Sequence, residues 1–182
     1  SMNATGVDNL FKGIQFDELE YFMDTQSPHI DSDNWEHRGT HYAKAAGELD
    51  ILHKFTTDRA RDIFAVHDLL PTSARIQWYE FSPDGKEHYD DGAIEYTILY
   101  NYYSEEPVTF IYPNGEFTLE NNEAVAYCGQ ELLHQRKKTE GISICISLAY
   151  AKPNNPHFAL GEYNGLGYKF KSTTEEIEEN WL

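Results

Sequence analysis

The chain has 182 residues, the length of one domain. Its 14 Lys and Arg stand against 31 Asp and Glu, and the resulting formal charge of −17 argues against duplex nucleic acid or an anionic membrane as partner, because both reward basic side chains. Hydrophobic residues make up 40%, including 13 Tyr and 10 Phe, enough to pack a core and to exclude a disordered chain.

A mean hydropathy of −0.63 and the lack of a long apolar run exclude a membrane-spanning helix. Ser1-Met2 reads as a start left by expression, and no signal peptide follows it. Two cysteines, Cys128 and Cys145, are too few for a disulfide framework, so a cytoplasmic, reducing setting is expected.

Residues 16–22 read as a strand or a short helix, and residues 25–40 have loop composition. From His41 to Leu70 the spacing turns helical. Ala46, Leu49, Ile51, Leu52 and Phe55 form one stripe. Thr56-Thr57-Asp58 marks a fresh start, and a second stripe of Ala60, Ile63, Phe64 and His67 runs to Pro71.

β-patterning follows. Ile76 and Trp78 open a strand closed by the turn Ser82-Pro83-Asp84-Gly85. In residues 94–103, Ile94, Tyr96, Ile98 and Tyr100 share one face while Thr97, Leu99 and Asn101 share the other. Further strands are expected over 108–112, 116–119, 124–128 and 142–150, with Pro113-Asn114-Gly115 as a turn. Residues 175–182 read as an acidic helix or frayed tail. The whole predicts a mainly β fold, a sandwich or barrel braced by N-terminal helices. It divides into support over 1–74, a core over 75–150 and an extension over 151–182.

One cluster carries chemistry. His88 and Asp90 are separated by a single residue, so an extended segment turns both to one face, and His134 follows on a later strand. Two imidazoles and one carboxylate form the facial set that holds Fe(II) and leaves positions open, whereas a closed thiolate set would suit structural zinc. Asp91 has the opposite parity. His37 and His41 have helical zinc spacing but lack the Glu of an HExxH motif, and Gly39 weakens a helix there, so they read as loop histidines.

The order of features around the cluster is strand, Pro-Gly turn, His88-Tyr89-Asp90, the aromatic strand from Glu95 to Asn101, and Gly129-Gln130-Glu131-Leu132-Leu133-His134. It resembles the Fe(II)/2-oxoglutarate-dependent dioxygenases, particularly the compact prolyl-4-hydroxylase-like branch, over residues 75–150. The resemblance implies a double-stranded β-helix, or jelly roll, with His88, Asp90 and His134 as metal ligands and catalytic centre. It further implies Fe(II) as cofactor, 2-oxoglutarate as co-substrate and dioxygen as reactant. Retention of Asp90 points to hydroxylation rather than halogenation. The substrate is expected to be a prolyl or other amino-acid residue or a small amino-acid-like molecule.

The family usually places an Arg or Lys nine or ten positions after the second His, to pair with the distal carboxylate of 2-oxoglutarate. Here those positions hold Ser143 and Ile144. Arg136, two positions past His134, has the parity to face the same interior and the paired donors to clamp a carboxylate. By the same resemblance Tyr100 and Tyr79 stand where a co-substrate tyrosine is found. Lys137 and Lys138 read as a solvated charge run, Cys145 as apolar packing, and Gly161, Gly165 and Gly167 as loop glycines. Residues 35–38 are a candidate entrance loop. The missing Arg keeps open a cupin-like metalloenzyme that does not use 2-oxoglutarate, and a non-catalytic jelly-roll binding module is the third reading.

Overall fold

The structure, a computed structural model, describes residues 3–11, 30–31, 40–43, 48–79 and 85–159. In chain order these form β1 (Thr5–Val7), β2 (Ile30–Asp31), β3 (Thr40–Ala43), α1 (Glu48–Phe64), β4 (Leu70–Tyr79) and β5 (Tyr96–Ser104). There follow β6 (Val108–Tyr112), β7 (Gly115–Leu119), β8 (Ala124–Tyr127), β9 (Gln135–Arg136), β10 (Ser143–Ala151) and α2 (Pro156–Ala159). The strands make a large sheet of order β1-β8-β5-β10-β4-β3-β2 and a small sheet of order β7-β6-β9, with every pairing antiparallel.

β5 and β10, in the middle of the large sheet, are buried at most positions on both faces, and apolar residues occur on both. Ile98, Tyr100, Ala124, Ala126, Ile144, Ile146, Leu148 and Tyr150 point outward to the cluster that α1 and the N-terminal Val7, Leu10 and Phe11 complete. The opposite parity, Leu99, Val125, Tyr127 and Cys145, packs inward against Val108, Phe110 and Leu119 of the small sheet. Burying each large apolar side chain contributes about 1.5–3 kcal/mol. The space between the two sheets is the interior of the jelly roll.

Helix α1 runs unbroken through Thr56-Thr57, where the sequence predicts a restart. Both hydroxyls donate to the His53 carbonyl, at 3.0 and 2.8 Å, so they are satisfied within the helix and need no cap. The helix ends at Phe64, with Ala65 at a φ of 55° and the Val66 N–H returning to Arg61 O at 3.1 Å. His67 therefore lies beyond the helix, and Pro71 does not end it. Pro71 sits inside β4 opposite Tyr150, where the register with β10 already slips and a missing N–H costs no regular ladder bond. β4 also crosses the expected boundary at residue 74, so support and core share one sheet.

His41 is on β3, opposite Trp78, in a strand rather than in a loop or a helix. The expectations for residues 16–22, His37, residues 35–38, the turn at 82–84, the glycines after 160 and the C-terminal tail lie outside the described residues. Among the described residues no helix is long and apolar enough to cross a membrane.

Candidate metal centre

The His88 and His134 backbones pair directly as an isolated antiparallel bridge, His88 N–H to His134 O at 3.0 Å and the return bond at 3.1 Å. Residues directly opposite in such a bridge turn their side chains the same way, and the two rings stand 4.4 Å apart. Asp90, one alternation further on, donates its N–H to Gly129 O at 2.8 Å and presents its carboxylate beside them. Asp90 Oδ1 lies 3.4 Å from His88 Nε2 and 3.5 Å from His134 Nε2. The three ligand atoms fall within 4.8 Å of one another.

The donor chemistry fits a divalent metal. His88 Nδ1 lies 2.7 Å from Lys86 O, and His134 Nδ1 lies 2.7 Å from Leu132 O. A carbonyl can only accept, so both Nδ1 atoms carry the hydrogen, and both Nε2 atoms keep a lone pair aimed at the shared space. Burial pushes the Asp90 carboxyl up. Without a metal, an imidazole that takes a second proton, at Nε2, donates it to Asp90 and brings a charge, and this from His134 and His88 outweighs burial and holds the group well below the usual carboxylate range. With a metal on the Nε2 lone pairs instead, the set would be a hard anionic oxygen and two neutral imidazole nitrogens.

The centre is open on one side. The side chain of His88 is 52% exposed, whereas Asp90 is 16% and His134 5% exposed. His134 is walled by Phe110, stacked at 5.5 Å, and Tyr127, tilted at 4.8 Å. These two aromatic walls escaped the sequence reading. Alternation puts Val125 with Tyr127 and Val108 with Phe110 on common faces, but one strand's parity says nothing about which imidazole it meets.

Arg136 follows His134 into the interior, as its parity predicts. It crosses from β9 to the inner face of β10, donating from Nη2 to Ser143 Oγ at 2.5 Å and lying with Nη1 3.8 Å from Cys145 Sγ. Cys145 is fully buried, as expected, and borders this guanidinium. Tyr100 is not brought to the centre. It points to the outer face of the large sheet, edge-on to Phe11 at 4.7 Å, with its hydroxyl donating to Asn122. The reason is parity: Leu99, not Tyr100, faces inward on β5. The backbone of Tyr79 pairs with Ser143, beside the Arg136 contact, and its side chain lies outside what is described.

No protein-family model matches the sequence, and no curated protein is significantly similar to it. Solved structures are similar in three dimensions. The viral collagen prolyl hydroxylase of Paramecium bursaria Chlorella virus 1, solved with 2-oxoglutarate, superposes with a TM-score of 0.58 at 9% identity, covering 82% of this chain and 95% of that one. An oxidoreductase of the 2-oxoglutarate-Fe(II) oxygenase family from Burkholderia pseudomallei gives 0.63 at 9% identity, over 84% and 85%. HygX from Streptomyces hygroscopicus, solved with nickel, 2-oxoglutarate and hygromycin B, gives 0.62 at 10% identity, over 84% of each chain. The chain has the jelly-roll fold of these oxygenases.

Proposed function

We propose that this protein is an Fe(II)- and 2-oxoglutarate-dependent oxygenase that hydroxylates a prolyl or other amino-acid residue or a small amino-acid-like molecule. One observation carries the reading: a single carboxylate oxygen of Asp90 faces the Nε2 atoms of both His88 and His134 inside the jelly roll. The neighbours' bound groups, 2-oxoglutarate in two cases and nickel in one, support it.

His88, His134 and Asp90 would hold the iron on one face. When bound, iron and 2-oxoglutarate supply the oxidising chemistry, in which dioxygen is consumed, the oxo acid loses carbon dioxide to become succinate, and one oxygen atom reaches the substrate. The chain's own residues orient and shield. Lys86 O and Leu132 O keep the imidazole tautomers, while Phe110 and Tyr127 keep water from His134. Arg136 clamps the distal carboxylate of 2-oxoglutarate, entering from β9 the region where β10 carries Ser143. The half-exposed edge of His88 is the side of substrate approach. The −17 charge favours a cationic substrate over nucleic acid. Two free, buried cysteines suit a reducing cytoplasm.

The test is an anaerobic titration of Fe(II)-loaded protein with 2-oxoglutarate, followed by visible charge-transfer absorption. A saturable band is expected in the wild type and none in His88→Ala, Asp90→Ala or His134→Ala. Iron without a band would point to a metalloenzyme that does not use 2-oxoglutarate. No iron at all would leave a jelly roll without a metal centre.

A further inference from the structure

Gly129 and Gln130 link β8 to His134 and belong to no ligand set. Gly129 has no left-handed φ, so its backbone conformation is open to any residue. What demands glycine is its neighbour. A Cβ on Gly129 would fall onto the Asp90 carboxylate, 2.7 Å from its carbon and 3.1 Å from its Cβ, with Oδ2 nearer still. Oδ2 thus rests over the bare Gly129 Cα while Oδ1 faces both imidazoles.

The same segment holds the backbone on either side of that carboxylate. Gly129 O accepts the Asp90 N–H at 2.8 Å. Gln130 Nε2 donates to Gly92 O at 2.8 Å, and Asn155 Nδ2 reaches the same carbonyl at 3.2 Å. Both lone pairs of Gly92 O are therefore engaged where the chain turns, at a φ of +64°.

We propose that Gly129 and Gln130 are positioning residues for Asp90, Gly129 by leaving the seat into which Oδ2 is turned and Gln130 by gripping the turn that follows. Oδ1, which faces both imidazoles, would then be the oxygen available to a metal. This rests on the metal-centre reading above.

The test uses metal-free protein titrated with Co(II), read by ligand-field absorption, alongside thermal unfolding without metal. Gly129→Ala is expected to weaken Co(II) binding about 10- to 100-fold and alter the spectrum, the range seen when a residue orienting a ligand is changed. It should also lower the metal-free unfolding midpoint, and Asp90→Ala in the same chain should recover part of that loss by removing the clashing carboxylate. Gln130→Ala, which loses one hydrogen bond but adds no clash, is expected to lower the midpoint less than Gly129→Ala does and to bind Co(II) about 10-fold more weakly, and wild-type Co(II) affinity in it would remove Gln130 from the proposal.

Wild-type affinity and spectrum in Gly129→Ala would overturn the proposal. So would an unfolding loss that Asp90→Ala leaves untouched. If Gly129→Ala does not fold, recovery of folding in the double variant supports the proposal and continued unfolding defeats it. A wild type that binds neither Co(II) nor Fe(II) sinks the metal-centre reading instead. The unfolding cycle would still report the Gly129–Asp90 coupling in that case.

Discussion

Arg136 is the side chain proposed to do from β9 what the resemblance leads one to seek on β10. The expected position on β10 is Ser143, too short to reach a carboxylate with charge. The guanidinium that donates to Ser143 comes from β9 across the sheet gap. Arg136→Met is therefore expected to raise the half-saturating 2-oxoglutarate concentration about 10- to 150-fold, the equivalent of a charge-assisted hydrogen bond of about 1.5–3 kcal/mol. Iron binding should be unchanged, and Arg136→Lys should lose less. The charge-transfer titration reads both. The meeting of His88, Asp90 and His134 and the inward turn of Arg136 were legible in the sequence because residue type and strand parity are local properties. Tyr127 and Phe110 were not, because meeting His134 depends on how two sheets face each other.

At the scale of the element, α1 and β10 are joined by a polar seam inside an apolar cluster. The Tyr150 hydroxyl meets Thr56 Oγ1 at 2.7 Å, Thr56 donates to His53 O, and His53 Nε2 lies 2.7 Å from Ala149 O. Tyr150→Phe removes one buried hydrogen bond and is expected to cost about 0.5–1.5 kcal/mol. Leu148→Ala, two residues away on the same outward face and fully buried, leaves a cavity in a close-packed cluster and is expected to cost about 2–5 kcal/mol. Urea unfolding ranks the two, and the reverse order would mean that the seam rather than the apolar packing holds the helix. The break predicted at Thr56-Thr57 came from treating these threonines as exposed caps. Their role in the seam is set by β10, some 90 positions further on, and no helical period reports it.

For the whole molecule, burial of His53 links stability to pH. Burial lowers its pKa from 6.5 to about 3, against a smaller opposing pull from the Ala149 carbonyl. Above 6.5 neither the folded nor the unfolded chain holds this proton. Below 6.5 the unfolded chain binds it and the folded chain does not, so stability falls with falling pH by about 1.4 kcal/mol per unit toward pH 3. Between about pH 7 and about pH 5 the expected loss is ~2 kcal/mol. Paired urea melts measure it, and His53→Gln, which retains a donor for Ala149 O, should flatten the difference. The depressed Asp90 carboxyl acts lower, its contribution being present above its ordinary value of 3.8 and lost below it. The window from 6.5 to 5 therefore lies above the Asp90 transition, and His53→Gln reports the His53 share of the loss within it.

The sequence by itself determined the donor types of the candidate site, the strand periodicity and the order of β4 to β8 and β10, because each is written in residue type and short spacing. It left undecided which face of the large sheet looks inward. β5 and β10 are apolar on both parities because the sheet is covered on both sides, so Tyr100 and Leu99 are equivalent by pattern. Only the packing of α1 on one face and of the small sheet on the other sent Tyr100 outward and Arg136 to Ser143. The same packing set the Asp90 carboxylate against the bare Cα of Gly129.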